Sequence, residues 1–298
     1  MRVVKNYLSL IKFSHTIFAL PFALIGLALG LQAEQRYAIL INHTGLLNSN
    51  VIIKLLLVLL CMIFARSAAM AFNRYLDRHW DALNPRTAIR EIPRGIISPG
   101  NALAFTVISS ILFLITTYFI NPLCFYLAPV ALMVVLGYSY TKRFTPLCHL
   151  ILGLGLALAP IGAYLAVTEY FHWLPVLFSC IVLFWVSGFD IIYALQDVGF
   201  DRSNSLHSIP GLLGEKRALR VSELLHLLSG SLVCVAGYYW QFHFLYWTGA
   251  AVFIGCLIYQ HSVVKPQDLS RVNLAFMTTN GIASVVFACF VISDLLIN

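Results

Sequence analysis

Long apolar runs of about 20 residues, separated by short polar segments, pattern this chain from end to end. A helix rises about 1.5 Å per residue, so a run of that length crosses the hydrocarbon core of a bilayer. The runs predict nine transmembrane helices, near 13–33, 51–76, 101–120, 122–140, 147–168, 173–196, 218–240, 243–262 and 272–296. Asn121-Pro122 and Phe242-His243 mark tight turns between neighbouring spans. The first run is long for the apolar core of a signal peptide and further spans follow, so it reads as a helix. No interval is long enough for a separate soluble domain. Residues 1–298 therefore read as a single all-α integral membrane unit.

Composition agrees: 60% of residues are hydrophobic and 10% are charged, which excludes an ordinary soluble domain. The net charge of +7 matters less than its placement. One side of the predicted bundle receives Arg2, Lys5, Lys12, Arg74, Arg78, Arg86, Arg90, Arg94, Lys142, Arg143, Arg202, Lys216, Arg217, Arg220, Lys265 and Arg271, against Arg36 and Lys54 on the other. Positive charge is retained in the cytoplasm, so the chain is expected in the cytoplasmic (inner) membrane with its N-terminus and basic loops inside. The seven cysteines are scattered, mostly in apolar runs and without CxxC spacing, and read as packed thiols.

Two aspartate pairs, each at the cytoplasmic end of an apolar run, carry the candidate chemistry: Asp77/Asp81 and Asp197/Asp201. Residues four apart on a helix share a face about 6 Å apart, so each pair can aim at one ligand. Acids are costly at membrane depth, and a paired set there marks a functional site. Asp190 lies two helical turns before Asp197 with Tyr193 between them, and Arg66, Asn73, Asp77 and Asp81 follow spacings of seven, four and four. Converging carboxylates need cations, and oxygen ligands without a His or Cys cluster point to Mg²⁺, whose shell is commonly completed by phosphates. Two such ions can clamp a diphosphate.

The neighbouring loops are basic. Arg86, Arg90 and Arg94 recur at intervals of four, so a short helix would line them up, and Lys142-Arg143 closes the fourth span on the same side. These residues suit a departing diphosphate or, alternatively, ordinary charge retention and anionic lipid headgroups. Arg66 lies inside the second span, where it either pairs with Asp190 or binds an acceptor carboxylate. His15, His79, His149 and His207 read as structural more readily than as ligands or bases, and Tyr138, Tyr140 and Trp185 read as packing residues. Both pairs are separated by 120 positions, and each is followed by Ile-Pro. This suggests a four-helix repeat, 13–140 and 147–262, with 272–296 appended and a central cavity opening to the cytoplasm.

The run from Asn73 to Thr87, Asn-Arg-x-x-Asp-Arg-x-x-Asp-Ala-x-Asn-Pro-Arg-Thr, resembles the first motif of the UbiA family of intramembrane polyprenyltransferases. Ser139 to Thr145 and the stretch from Asp190 to Pro210 resemble that family too, so the likeness covers essentially the whole chain. The resemblance implies Mg²⁺-dependent transfer of a prenyl group from an allylic polyprenyl diphosphate to an aromatic acid, in quinone (ubiquinone or menaquinone) biosynthesis. It implies that Asn73, Asp77 and Asp81 hold one ion and Asp190, Asp197 and Asp201 the other. Arg86, Arg90 and Lys142 would grip the diphosphate, Arg66 the acceptor, and Tyr193 would lie beside the allylic carbon. Arg74 departs from the family's common Asn-Asp start, as does Val198-Gly199-Phe200 from relatives with further acids.

The expected acceptor is of the 4-hydroxybenzoate type, with a dihydroxynaphthoate as the alternative. A cation-coupled transporter is the competing class, but it favours charges near the midplane and interrupted helices. Membrane lipid surrounds the expected protein, and neither nucleic acid nor an obligate protein partner is inferred.

Overall fold

The structure, a computed structural model, describes residues 2–12, 18–40 and 50–298. Among these residues it is helical, with no strand beyond one isolated bridge between Lys265 and Asp268. A short amphipathic helix, α1 (Arg2–Leu10), precedes the long ones. These are α2 (Leu20–Leu40), α3 (Asn50–Leu83), α4 (Pro99–Ile120), α5 (Pro122–Thr141), α6 (Cys148–Thr168) and α7 (Trp173–Ala194). Two short helices follow, α8 (Val198–Ser203) and α9 (Ile209–Leu213). The chain closes with α10 (Glu215–Tyr239), α11 (Phe244–Val263) and α12 (Asn280–Ile297), the last entered through a π-turn at Leu274–Thr279.

Seven of the nine expected spans are helices long and apolar enough to cross a membrane. The other two expectations fall on α2 and α11, which have comparable lengths but lie outside that group, and the opening residues 13–17 lie outside the described residues. Large apolar side chains point outwards along α3 (Ile52, Leu56, Leu60 and Ile63) and α4 (Val107, Ile108, Ile111 and Ile115). Their helical spacing makes them lipid-facing stripes.

Local sequence explains where the spans turn. At the start of α4, Ser98 Oγ accepts the Asn101 N–H at 3.2 Å and Pro99 fills the first position, where a missing N–H costs nothing. Asn121 caps α5 in the same way, accepting from Cys124 N at 2.8 Å, and donates through Nδ2 to the Leu165 carbonyl of α6. α3 runs past the expected end at 76 because no breaker intervenes before Asn84-Pro85.

The core lies among α2, α7, α11 and α12, where Phe22, Phe178, Trp185, Phe253 and Phe287 are fully enclosed. Two glycines set helix approach. A Cβ on Gly26 of α2 would overlap the Pro160 carbonyl of α6, and one on Gly153 of α6 would lie 2.5 Å from the Leu183 carbonyl of α7. The second contact brings α6 and α7 together beside the aspartates. At the opposite end of the bundle, Lys54 pairs with Glu34 at 3.1 Å and Arg36 covers the Trp240 ring at 5.8 Å.

Candidate active site

Asp77 and Asp81 occupy the last two turns of α3, where the helix presents its own partial negative charge. Both are buried, so cations must answer them. Lys142, at the end of α5, donates through Nζ to Asp77 Oδ2 at 2.5 Å, and Asn73 Nδ2 donates to the same oxygen at 3.2 Å. Arg90 reaches back from the following loop to Asp81 Oδ1 at 2.6 Å. One oxygen of each carboxylate, Asp77 Oδ1 and Asp81 Oδ2, is buried without a hydrogen-bond partner.

The second pair is held differently. After α7 the chain tightens into a 3₁₀ turn at Leu195–Asp197 before α8 begins, so Asp197 and Asp201 do not continue one regular helix. Arg86 forks onto Asp197, with Nε bonding Oδ1 at 3.0 Å and Nη2 bonding Oδ2. Asn84 Nδ2 adds a bond to Oδ1 at 3.0 Å, and Arg86 Nη1 donates to Tyr193 Oη at 2.8 Å. Burial opposes the Arg86 charge, but the hydrogen bonds and charge of Asp197 outweigh it and raise its pKa. Asp201 Oδ2 accepts from Ser208 Oγ at 2.8 Å. The loop after the first pair therefore crosses over: a base following the first pair neutralises an acid of the second.

The expected short helix through Arg86, Arg90 and Arg94 does not form. Residues 84–97 instead make successive turns, closed by bonds such as Thr87 N to Asn84 O and Arg90 N to Thr87 O. Pro85 and Pro93 lack a donor, and Asn84 Oδ1 takes the Arg86 N–H at 3.0 Å. The turns send Arg86 and Arg90 to different aspartates, and Arg94 to neither.

The alternative pairing of Arg66 with Asp190 is also absent. Asp190 Oδ2 lies 2.7 Å from His149 Nδ1, while Arg66 Nη2 donates to the Lys12 carbonyl at 3.3 Å. His149 Nε2 accepts the Ile209 N–H at 3.4 Å, tying α6 to the start of α9. His79 and His207 place no ring on an aspartate among the described residues, and His15 lies outside them. Asn84, His149 and Ser208 thus contact the aspartates without having been singled out as site residues; Asn84 carried a signal, since it stands inside the Asn-Pro-Arg run.

No three His, Cys, Asp or Glu side chains among the described residues form a ready-made metal cluster. The donors nevertheless fit a hard cation. They are oxygens, and two buried carboxylate oxygens, Asp77 Oδ1 and Asp81 Oδ2, have no hydrogen-bond partner.

Known proteins resemble this chain in sequence and in fold. A 4-hydroxybenzoate octaprenyltransferase of Aeromonas hydrophila is 29% identical over 237 residues, covering 77% of this chain and 80% of that protein. One from Tolumonas auensis is 28% identical over 235 residues, covering 78% and 82%. The apo structure of a UbiA homologue from Aeropyrum pernix superposes with a TM-score of 0.76 at 27% identity, over 95% of this chain and 97% of that one. A UbiA homologue from Archaeoglobus fulgidus, bound to DMAPP and Mg²⁺, shares the fold with a TM-score of 0.72 at 20% identity, over 98% and 100%. The model of the UbiA prenyltransferase family matches residues 19–282, most of the sequence, and the chain belongs to that family.

Proposed function

We propose that this prenyltransferase moves a polyprenyl group from an allylic polyprenyl diphosphate to an aromatic acid of the 4-hydroxybenzoate type, in quinone biosynthesis. The carrying observation is the pairing of three aspartates with three bases from facing segments: Asp77 with Lys142, Asp81 with Arg90 and Asp197 with Arg86. Cations and anions held against one another in this way are exchangeable partners for a metal–diphosphate substrate. The names of the octaprenyltransferase relatives support the acceptor class.

Asn73, Asp77 and Asp81 would hold one Mg²⁺, and Asp190, Asp197 and Asp201 the other. Bound there, magnesium supplies positive charge that favours departure of the diphosphate. Arg86, Arg90 and Lys142 donate to the diphosphate oxygens as charge builds on them. The allylic C–O bond stretches, and its electron pair leaves with the diphosphate. Tyr193 offers an aromatic face to the allylic carbon; its ring packs 4.3 Å from that of Phe276, which helps to keep water away. The ring carbon ortho to the acceptor's phenol bonds the allylic carbon, and that ring carbon then loses its proton. Arg66 takes the acceptor carboxylate.

The uneven distribution of Lys and Arg supports a cytoplasmic site in the inner membrane. The placement of both aspartate pairs at the close of a span supports reading 13–140 and 147–262 as two halves of one domain facing a shared site.

The test is to incubate membranes containing the protein with a polyprenyl diphosphate, Mg²⁺ and either 4-hydroxybenzoate or a dihydroxynaphthoate, and to identify products by mass spectrometry. Prenylated 4-hydroxybenzoate is expected. Prenylated naphthoate alone would move the assignment to menaquinone, and prenylation of some other acceptor but neither acid would end the reading.

A further inference from the structure

One side chain ties the π-turn at Leu274–Thr279 to the rest of the bundle. Asn280, the residue that follows the turn, is fully enclosed, yet every hydrogen-bonding position of its amide is filled. Nδ2 donates to the Phe276 carbonyl at 3.0 Å and to the Ala275 carbonyl at 3.2 Å. Oδ1 accepts from Trp185 Nε1 of α7 at 2.9 Å and from Gln260 Nε2 of α11 at 2.8 Å. An indole nitrogen can only donate, so the amide is fixed in this orientation.

A fully satisfied polar hub in an apolar core specifies one geometry more than it adds stability. The geometry here is the one π-turn among the described residues, a form that concentrates at functional sites. Phe276 lies inside it, with its ring 4.3 Å from that of Tyr193, 5.4 Å from Phe189 and 5.3 Å from Phe18. Successive residues of an α-helix are turned by about 100°, so closing the π-turn into α geometry would swing residue 276 away from Tyr193. Tyr193 is thus held from two directions: Arg86 donates to its hydroxyl and Phe276 covers its ring.

We propose that Asn280 is a positioning residue: by bonding the Ala275 and Phe276 carbonyls it locks the π-turn, seats Phe276 on Tyr193 and so keeps water from the allylic carbon. It acts through Phe276 and touches no substrate. This rests on the reading of the chain as an aromatic-acid prenyltransferase. When the seat loosens, a water oxygen bonds the allylic carbon in place of the acceptor's ring carbon. The C–O electron pair still leaves with the diphosphate, the water loses a proton, and the product is the prenyl alcohol.

The test measures the ratio of prenyl alcohol to prenylated acid formed by the purified full-length enzyme in lipid nanodiscs, supplied with a polyprenyl diphosphate, Mg²⁺ and 4-hydroxybenzoate. Wild type is compared with Asn280→Ala, Phe276→Leu and the double variant. Both products come from one preparation, so the amount of folded enzyme cancels. Each single variant is expected to raise the ratio about tenfold, and the double variant to raise it no further than Phe276→Leu does. An unchanged ratio in Asn280→Ala would overturn the proposal. A rise in Asn280→Ala without one in Phe276→Leu would overturn it too, as would effects that multiply in the double variant, since Asn280 would then act independently of Phe276. Should Asn280→Ala fail to fold, Gln260→Met carries the test. It removes one of the two bonds to Oδ1 together with Gln260 Oε1, which is buried without a partner. A smaller rise in the ratio is then expected, and no rise would overturn the proposal. A wild-type enzyme that prenylates no aromatic acid would instead fail the proposed function.

Discussion

Arg86 and Asp197, 111 positions apart in sequence, meet through two side-by-side hydrogen bonds while the same guanidinium donates to the Tyr193 hydroxyl. One residue of the first aspartate motif's loop thus fixes both an acid and an aromatic ring of the second motif.

This double grip requires the planar fork of arginine. Arg86→Lys keeps the charge but not the paired donors, and kcat/KM for the diphosphate should fall about tenfold to a hundredfold, about 1.4–2.8 kcal/mol. Steady-state kinetics with the acceptor saturating and the diphosphate varied will measure it; wild-type behaviour would show that charge alone suffices.

Asp77 and Asp197 anchor the two halves of the site, and neither should tolerate loss of its charge. Asp77→Asn and Asp197→Asn should each lower product formation by about a hundredfold or more. Chelation of divalent cations should stop wild-type turnover, and added Mg²⁺ should restore it, as an all-oxygen donor set requires. Full activity in either variant would remove the two-metal account.

The His149–Asp190 contact joins α6 to α7 from inside the bundle. His149→Leu strands the carboxylate and should destabilise the protein by about 1.5–3 kcal/mol. Adding Asp190→Asn should recover part of that loss, because no charge then remains unanswered. Thermal unfolding in detergent reports both; additive losses would mean that the two side chains are not coupled.

Gly153 permits the α6–α7 approach on which that contact depends. Gly153→Ala places a methyl group against the Leu183 carbonyl, and should cost about 1–3 kcal/mol. The measurement is the unfolding midpoint, with Gly155→Ala as the control: that position meets nothing nearer than 3.7 Å.

The apolar runs made the helices legible because bilayer thickness dictates their length, and the spacing of Asp77 from Asp81 survives intact in α3. Periodicity describes one helix at a time, however, and says nothing about which segments meet. That Arg86 crosses to Asp197 while Arg90 returns to Asp81 depends on turns set by Asn84, Pro85 and Pro93, which replace the regular helix that interval-four spacing suggests. The 3₁₀ turn before α8 was equally hidden, so Asp197 and Asp201 face separate partners despite their spacing. Arg66 and Asp190 looked complementary by depth, yet His149 comes nearer to Asp190 from α6.

α3 has 34 residues, a rod about 50 Å long against a hydrocarbon layer of about 30 Å. Its surplus works as a mast. On the proposed function, the lower shaft would be wetted by acyl chains, where a polyprenyl tail dissolves, and the top would stand among headgroups, where magnesium and diphosphate keep their water until they dock. A reagent with a greasy end and an ionic end would thereby be met by one continuous piece of backbone that spans both solvents, and neither end would have to be dragged into the wrong one.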